Sequence, residues 1–148
     1  MALGTTSAPR LDEQICFALY SASRALTVRY RDLLAPLGIT YPQYLVLLVL
    51  WETGSVTVSD LGARLQLHSG TLSPLLQRLE KAELITRSRR LDDERSVQIS
   101  LTSAGSALSG PAAAIPEQIC LATGIDLEQI RSLQKKLTAI ADHVRTSH

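Results

Sequence analysis

From Arg10 to Leu34 the apolar positions recur at Leu11, Ile15, Leu19, Ala22 and Leu26, in steps of three or four. That spacing predicts one long helix opening at Arg10 or Leu11, with an apolar stripe down one face. Pro36 and Gly38 end it. Thr40 or Tyr41 can cap a second helix, and Pro42 suits a first helical turn. Its body, Gln43 to Glu52, is apolar almost all round, so it belongs at the centre of the molecule. Gly54 stops it, and Val56-Thr57-Val58 has β character. Ser59 is a suitable N-cap for a short helix over Asp60 to Leu67. After the turn His68-Ser69-Gly70, a helix from Thr71 to Glu83 carries Leu72, Leu75, Leu76 and Leu79 as one stripe. Pro74 is tolerable only near a first turn, which puts the helix start at about Ser69 to Thr71.

At Leu84 the period drops from about 3.6 to 2. Leu84 to Arg90 reads as one strand and Val97 to Leu101 as its partner, joined by a charged tip at Asp92-Asp93-Glu94-Arg95. Thr102 can cap a following helix to about Ala114, interrupted by Gly110-Pro111 and Pro116. A last helix over Asp126 to Arg145 carries Leu127, Ile130, Leu133, Leu137 and Ile140. The predicted fold is therefore mainly α with a small β-wing, in the order strand, helix, turn, helix, hairpin. That is the order of a winged helix-turn-helix.

With 148 residues, 45% apolar and 20% charged, the chain suits one folded domain spanning 1–148, with a frayed arm over residues 1–9. The start lacks a secretory leader pattern, and the longest apolar run, Leu45 to Trp51, is too short to cross a bilayer. A cytoplasmic protein with no membrane partner is expected. The two cysteines, Cys16 and Cys120, form neither a CxxC motif nor a Cys/His cluster of zinc spacing, so no metal or other cofactor is expected.

The net charge of +1 says little about nucleic acid until its distribution is considered. Ser69, Thr71, Ser73, Gln77 and Arg78 lie opposite the leucine stripe of the Thr71 helix, where a helix entering the major groove meets base edges. Arg87, Arg89, Arg90 and Arg95 lie on the hairpin and can reach phosphates or a narrow minor groove. Asp92, Asp93 and Glu94 partly cancel them. Arginines on a strand are also often only a solvated face, and the element order alone is shared by other small folds.

Cys16 has Tyr20 one turn on, on the same face. Tyr30, fourteen residues on, shares that face but lies roughly 21 Å along the axis. Cys16 and Tyr30 can meet only between two antiparallel copies of this helix. A phenol can donate a hydrogen bond to a thiolate, the species that attacks a peroxide O–O bond. Apolar Ile15, Phe17 and Leu19 suit a lipophilic peroxide, while Asp12 at i−4 opposes a thiolate. A helical cysteine is, however, more often a buried small hydrophobe, and the pattern by itself leaves both readings standing.

LDEQICFALYSASR, ITYPQYLVLLVLWE, SGTLSPLLQRLEKAELITR and DDERSVQISLT together resemble the organic hydroperoxide resistance regulators, a branch of the MarR superfamily. The resemblance covers roughly residues 11–120. The wing pattern at Asp93, Arg95, Leu101 and Thr102 marks the superfamily, and the LCFxLY-like and ITYPQY-like segments mark the peroxide-sensing branch. It implies a homodimer held by its N- and C-terminal helices, residues 11–34 and 103–145, with 56–102 reading double-stranded operator DNA. It implies that Cys16 is the peroxidatic thiol, that Tyr30 and Tyr41 reach it from the other subunit with Tyr20 nearby, and that Asp93 holds the wing residue Arg95. Cys120, in PEQIC, matches the position of a resolving cysteine in two-cysteine relatives. His68 departs from the acidic residue expected before the reading helix. The implied activity is a redox-sensing repressor released by organic hydroperoxides, not an enzyme. The alternatives are a regulator of the same fold answering a phenolic or lipophilic ligand, a thiol peroxidase, and a plain protein-interaction module. The peroxidase lacks the alternating βα pattern such enzymes use.

Overall fold

The computed structural model describes residues 7–90 and 93–147, and all of their side chains except those of 90 and 93–95. The chain forms two compact units, Arg31–Gln118 and Met1–Tyr30 with Ile119–His148. The elements are α1 (Ile15–Leu34), α2 (Tyr41–Thr53), β1 (Ser55–Thr57), α3 (Val58–Leu65), α4 (Ser69–Lys81), β2 (Ile85–Arg90), β3 (Asp93–Leu101), α5 (Ser103–Ala107), α6 (Ser109–Ala112), α7 (Ile115–Thr123) and α8 (Leu127–Thr146).

The unit Arg31–Gln118 is built round α2. Thr40 caps that helix in a reciprocal box: its hydroxyl accepts from the Gln43 amide at 3.3 Å, and the Gln43 side-chain oxygen accepts from the Thr40 amide at 2.9 Å. Behind the box, Tyr44, Val46, Leu47, Val49 and Leu50 are buried. Leu61 of α3, Leu72, Leu76 and Leu79 of α4, Ile85 of β2 and Ile99 of β3 complete this core. The three strands form one antiparallel sheet in the order β1-β3-β2, with Val56 opposite Ile99 and Ile85 opposite Leu101.

The wing is tied at its root. The Thr102 hydroxyl donates to the Glu83 carbonyl at 2.7 Å, and the Thr102 amide to the Leu84 carbonyl at 3.1 Å. Thr102 also caps α5 by accepting from the Gly105 amide at 3.0 Å. Gly105 is buried, and a Cβ there would overlap the Leu84 carbonyl oxygen. On its other side the Trp51 indole donates to the Gly105 carbonyl at 2.9 Å.

In the unit Met1–Tyr30 with Ile119–His148, none of the described residues is buried. Asp126 caps α8 in a second reciprocal box with Gln129. Along α8, Leu133, Ile140 and Val144 are exposed on one helical stripe with Leu127 exposed beside the start of the helix, and on α1 exposed Ile15 and Leu19 lie on one face and exposed Phe17 and Val28 on the opposite one. Fully burying one such side chain is worth about 1.5–3 kcal/mol. These helices therefore present an apolar surface that the described chain does not cover. No single helix among the described residues is long and apolar enough to cross a membrane.

Several boundaries differ from the sequence reading. The first helix is broken: Leu11–Glu13 is a separate 3-10 turn, because Gln14 is extended at φ −93°, ψ 116°. Asp12 is thereby removed from the α-helical i−4 position relative to Cys16, and the Arg10 guanidinium binds its carboxylate at 3.1 and 3.2 Å. The cap of α3 is Thr57, whose hydroxyl accepts from the Asp60 amide, and not Ser59. Both residues have a capping hydroxyl, and Thr57 holds the extended backbone that a cap needs. Strand β3 starts at Asp93, earlier than the alternation of Val97, Ile99 and Leu101 indicates. Helix α4 starts at Ser69, within the expected range, which leaves Pro74 inside the helix, just past its first turn. Pro74 is exposed, which leaves the carbonyl one turn back accessible to water.

Candidate functional site

Helix α4 owes its direction to its leucines. Leu72, Leu75, Leu76 and Leu79 are all buried, so the opposite face must be turned outward. Ser69, Thr71, Ser73, Gln77 and Arg78 are all exposed on that outer face. They give three hydroxyls, an amide and a guanidinium, which match the donors and acceptors of base edges and phosphates. His68 precedes the helix in an extended conformation, and its side chain makes no capping hydrogen bond. Amide donors of the first turn are therefore available to an anion at the positive end of the helix dipole.

The hairpin follows α4 after a tight turn through Glu83, which holds a left-handed φ of 61°. Arg87 is not a bare cation. Its guanidinium donates to the Glu80 carboxylate at 3.0 Å. That hydrogen bond holds the Glu80 carboxyl below its usual range, with burial opposing. Arg89 is exposed on the same strand. The side chains of Arg90, Asp93 and Arg95 lie outside the described residues. Their backbone is in the hairpin, where Arg90 pairs with Asp93 after an irregularity at Arg89/Arg90.

The thiol group of residues begins on α1. Cys16 is a free, exposed thiol in the first turn of the helix, and Cys120 is free and half-buried in the last turn of α7. Tyr20 follows Cys16 by one turn, and the Arg24 guanidinium sits 5.4 Å from its ring centre. Tyr30 is half-buried on the same continuous helix. One chain therefore does not bring Tyr30 to Cys16, since fourteen helical residues separate them by roughly 21 Å. Tyr41 opens α2, where burial pushes its phenol above the ordinary value. It therefore stays protonated at neutral pH. Cys120 Sγ lies 4.0 Å from the Ile125 carbonyl oxygen, long for a hydrogen bond.

Thr102, part of the wing pattern and the expected cap of the next helix, ties the wing root, whereas Glu80 and Gly105 escaped the sequence reading as parts of the reading head. Glu80 and Arg87 are seven residues apart across a helix-strand junction, and no periodic signal joins them. Gly105 meets Trp51 across 54 residues of chain.

Comparison with known proteins gives a consistent picture. A profile of the MarR family matches residues 39–97. The organic hydroperoxide resistance transcriptional regulator of Bacillus subtilis (strain 168) is 50% identical over 126 residues, covering 83% of this chain and 86% of the relative. The structure of reduced AbfR bound to DNA is 33% identical and superposes with a TM-score of 0.77, covering 91% of this chain and 94% of that one. AbfR, from Staphylococcus epidermidis, has also been solved in a disulfide-formed state. That state is 35% identical, with a TM-score of 0.62, covering 89% of this chain and 93% of the other.

Proposed function

The chain belongs to the MarR family, and on that premise we propose that it is a homodimeric transcriptional repressor that holds operator DNA while Cys16 is reduced and releases it when an organic hydroperoxide oxidises that thiol. The observation that carries the reading is a free, exposed Cys16 on a helix whose apolar face is uncovered, in the same chain as an outward-facing reading helix. The 50% identity over 126 residues with the organic hydroperoxide resistance transcriptional regulator of Bacillus subtilis supports the same inducer. Segments 11–34 and 103–145 pair the two copies, and 56–102 reads the DNA. The cytoplasm is where such a regulator meets its operator, and no catalytic turnover is required of it.

The steps follow from the groups present. Each α4 enters the major groove of one half-site, the two half-sites lying about 34 Å apart. Ser69, Thr71, Ser73, Gln77 and Arg78 meet bases and phosphates, while Arg89, Arg90 and Arg95, with Asp93 beside Arg95, carry the wing to the flanking backbone. The Cys16 thiolate attacks the outer peroxide oxygen, the O–O bond breaks, and an alcohol leaves with the thiol proton. The tyrosines Tyr20, Tyr30 and Tyr41 supply phenol donors that favour the thiolate. The resulting sulfenic acid condenses with the partner subunit's Cys120, forming a disulfide and releasing water. That bond displaces α1 and changes the separation of the two reading helices. A coupling of about 3 kcal/mol between thiol state and DNA would lower affinity roughly a hundredfold.

A gel shift of the reduced protein on the DNA upstream of its own gene, titrated with cumene hydroperoxide, tests this. Wild type is expected to leave the DNA and Cys16→Ser to remain bound throughout. Release of Cys16→Ser by peroxide would overturn the assignment of the sensor. If neither protein is released, the cysteine is only packing, and a lipophilic ligand between the subunits becomes the inducer to seek.

A further inference from the structure

We infer that Arg87 is a positioning residue, which sets the wing against the reading helix through Glu80, and is not one of the phosphate contacts. The inference rests on the DNA-binding reading above and changes the division of labour within it.

Three observations support it. The first is the ion pair itself, at 3.0 Å, with the side chains of Arg87 and Glu80 only 31% and 41% exposed. The other ion pairs among the described residues have side chains 48% to 69% exposed. The second is register. Side chains two apart on a strand share a face. Arg87 therefore points to the same side of the sheet as buried Ile85 and lies opposite the wholly buried Ile99, whereas Arg89, on that face too, lies two residue-pairs farther out, opposite the half-buried Val97. The Arg87 stem runs along the underside of the wing, toward α4. The third is distance. Glu80 is eleven residues beyond Ser69, roughly 16 Å from the end of α4 that meets DNA. Arg87 is likewise at the root of the hairpin, roughly 10 Å of strand before Arg90.

A partly exposed ion pair adds only modestly to global stability. What it can do is fix a direction. β1 pairs with β3 only over Gln98–Ser100, so the part of the hairpin beyond that pairing is free to swing, and the tip must reach the backbone beside the half-site read by α4. The Thr102 bonds and the Gly105 contact hold the end of the hairpin nearest α5. Glu80 and Arg87 add a tie three strand residue-pairs farther out, between the wing and the reading helix itself.

Operator binding followed by fluorescence anisotropy, from about 50 to 200 mM salt, separates the two roles for wild type, Arg87→Gln, Glu80→Ala and the double variant. A positioning pair predicts that each single variant binds about threefold to tenfold more weakly, with the salt slope unchanged, and that the double variant is no worse than either. A phosphate contact predicts the opposite pattern: Arg87→Gln lowers the salt slope by about one, and Glu80→Ala tightens binding by unmasking a cation. That second pattern would overturn the inference. If the wild type shows no salt-dependent operator binding, the DNA-binding reading fails instead. The tie is then tested without DNA by amide hydrogen exchange at Ile85–Ser88. Faster exchange in both single variants, with no further gain in the double, supports it, and unchanged exchange refutes it.

Discussion

A methyl group at Gly105 would overlap the Leu84 carbonyl oxygen, which is backbone and cannot swing aside as a side chain does. Gly105→Ala is therefore expected to lose about 1–3 kcal/mol of stability, as overpacked sites do, read as a lower midpoint in urea. Trp51 fluorescence should report the same change, because its indole bonds the Gly105 carbonyl. The reverse holds at Glu83, a side-chain-bearing residue at φ 61°. A left-handed backbone costs such a residue about 1 kcal/mol and glycine almost nothing. Glu83→Gly should raise the urea midpoint modestly while keeping the carbonyl that Thr102 binds. Neither residue announced its role in the sequence. Gly105 read as one small residue in an Ala-rich run, and the strain at Glu83 depends on how α4 hands over to β2. Both effects come from backbone meeting backbone, which side-chain periodicity does not encode.

Where periodicity and burial are the same physical fact, the elements were legible. The stripe Leu72, Leu75, Leu76 and Leu79 is buried as its spacing requires, and the all-apolar body of α2 lies at the centre of its unit. Ends of elements were less legible, because two neighbouring residues often carry the same capping chemistry, as Thr57 and Ser59 do. In the candidate site, the outer face of α4 followed from its inner one, whereas the Arg87 ion pair joins two elements and is visible only once they are folded. The cap of α4 offers an element-scale prediction. His68 stands at the N-cap without a capping bond. His68→Asp supplies an oxygen to the first-turn amides and a charge favourable to the dipole, for about 0.5–2 kcal/mol. A higher melting temperature checks it. The junction between α4 and β2 has a pH signature. Arg87 lowers the Glu80 carboxyl in the folded chain, so its contribution is present above the ordinary value of 4.5 and is lost as pH falls below it. Melting temperatures of wild type and Arg87→Gln should therefore converge as pH is lowered from 6 toward about 3.

For the whole molecule, the decisive feature is that α1 and α8 expose leucine, isoleucine, valine and phenylalanine while the unit around α2 has a filled core. Pairing of two copies through these helices buries what one copy cannot. Sedimentation should find a dimer, and Ile140→Glu with Val144→Glu should shift it toward monomer at micromolar concentration. Because a symmetric dimer brings two α4 helices to one duplex, the same double variant should lose most operator affinity with its α4 residues untouched. The roughly 21 Å between Cys16 and Tyr30 then has a kinetic consequence. On the proposed assignment, in which Tyr30 and Tyr41 serve the Cys16 thiol of the other copy, the complete sensor exists only as long as the pair does. Its oxidation rate is then second order in protein at low abundance and first order once association saturates, when the rate per copy no longer depends on copy number. A cell making few copies would own a slow alarm, and one making many a fast one, so the expression level of this protein sets its response time as well as its occupancy of DNA.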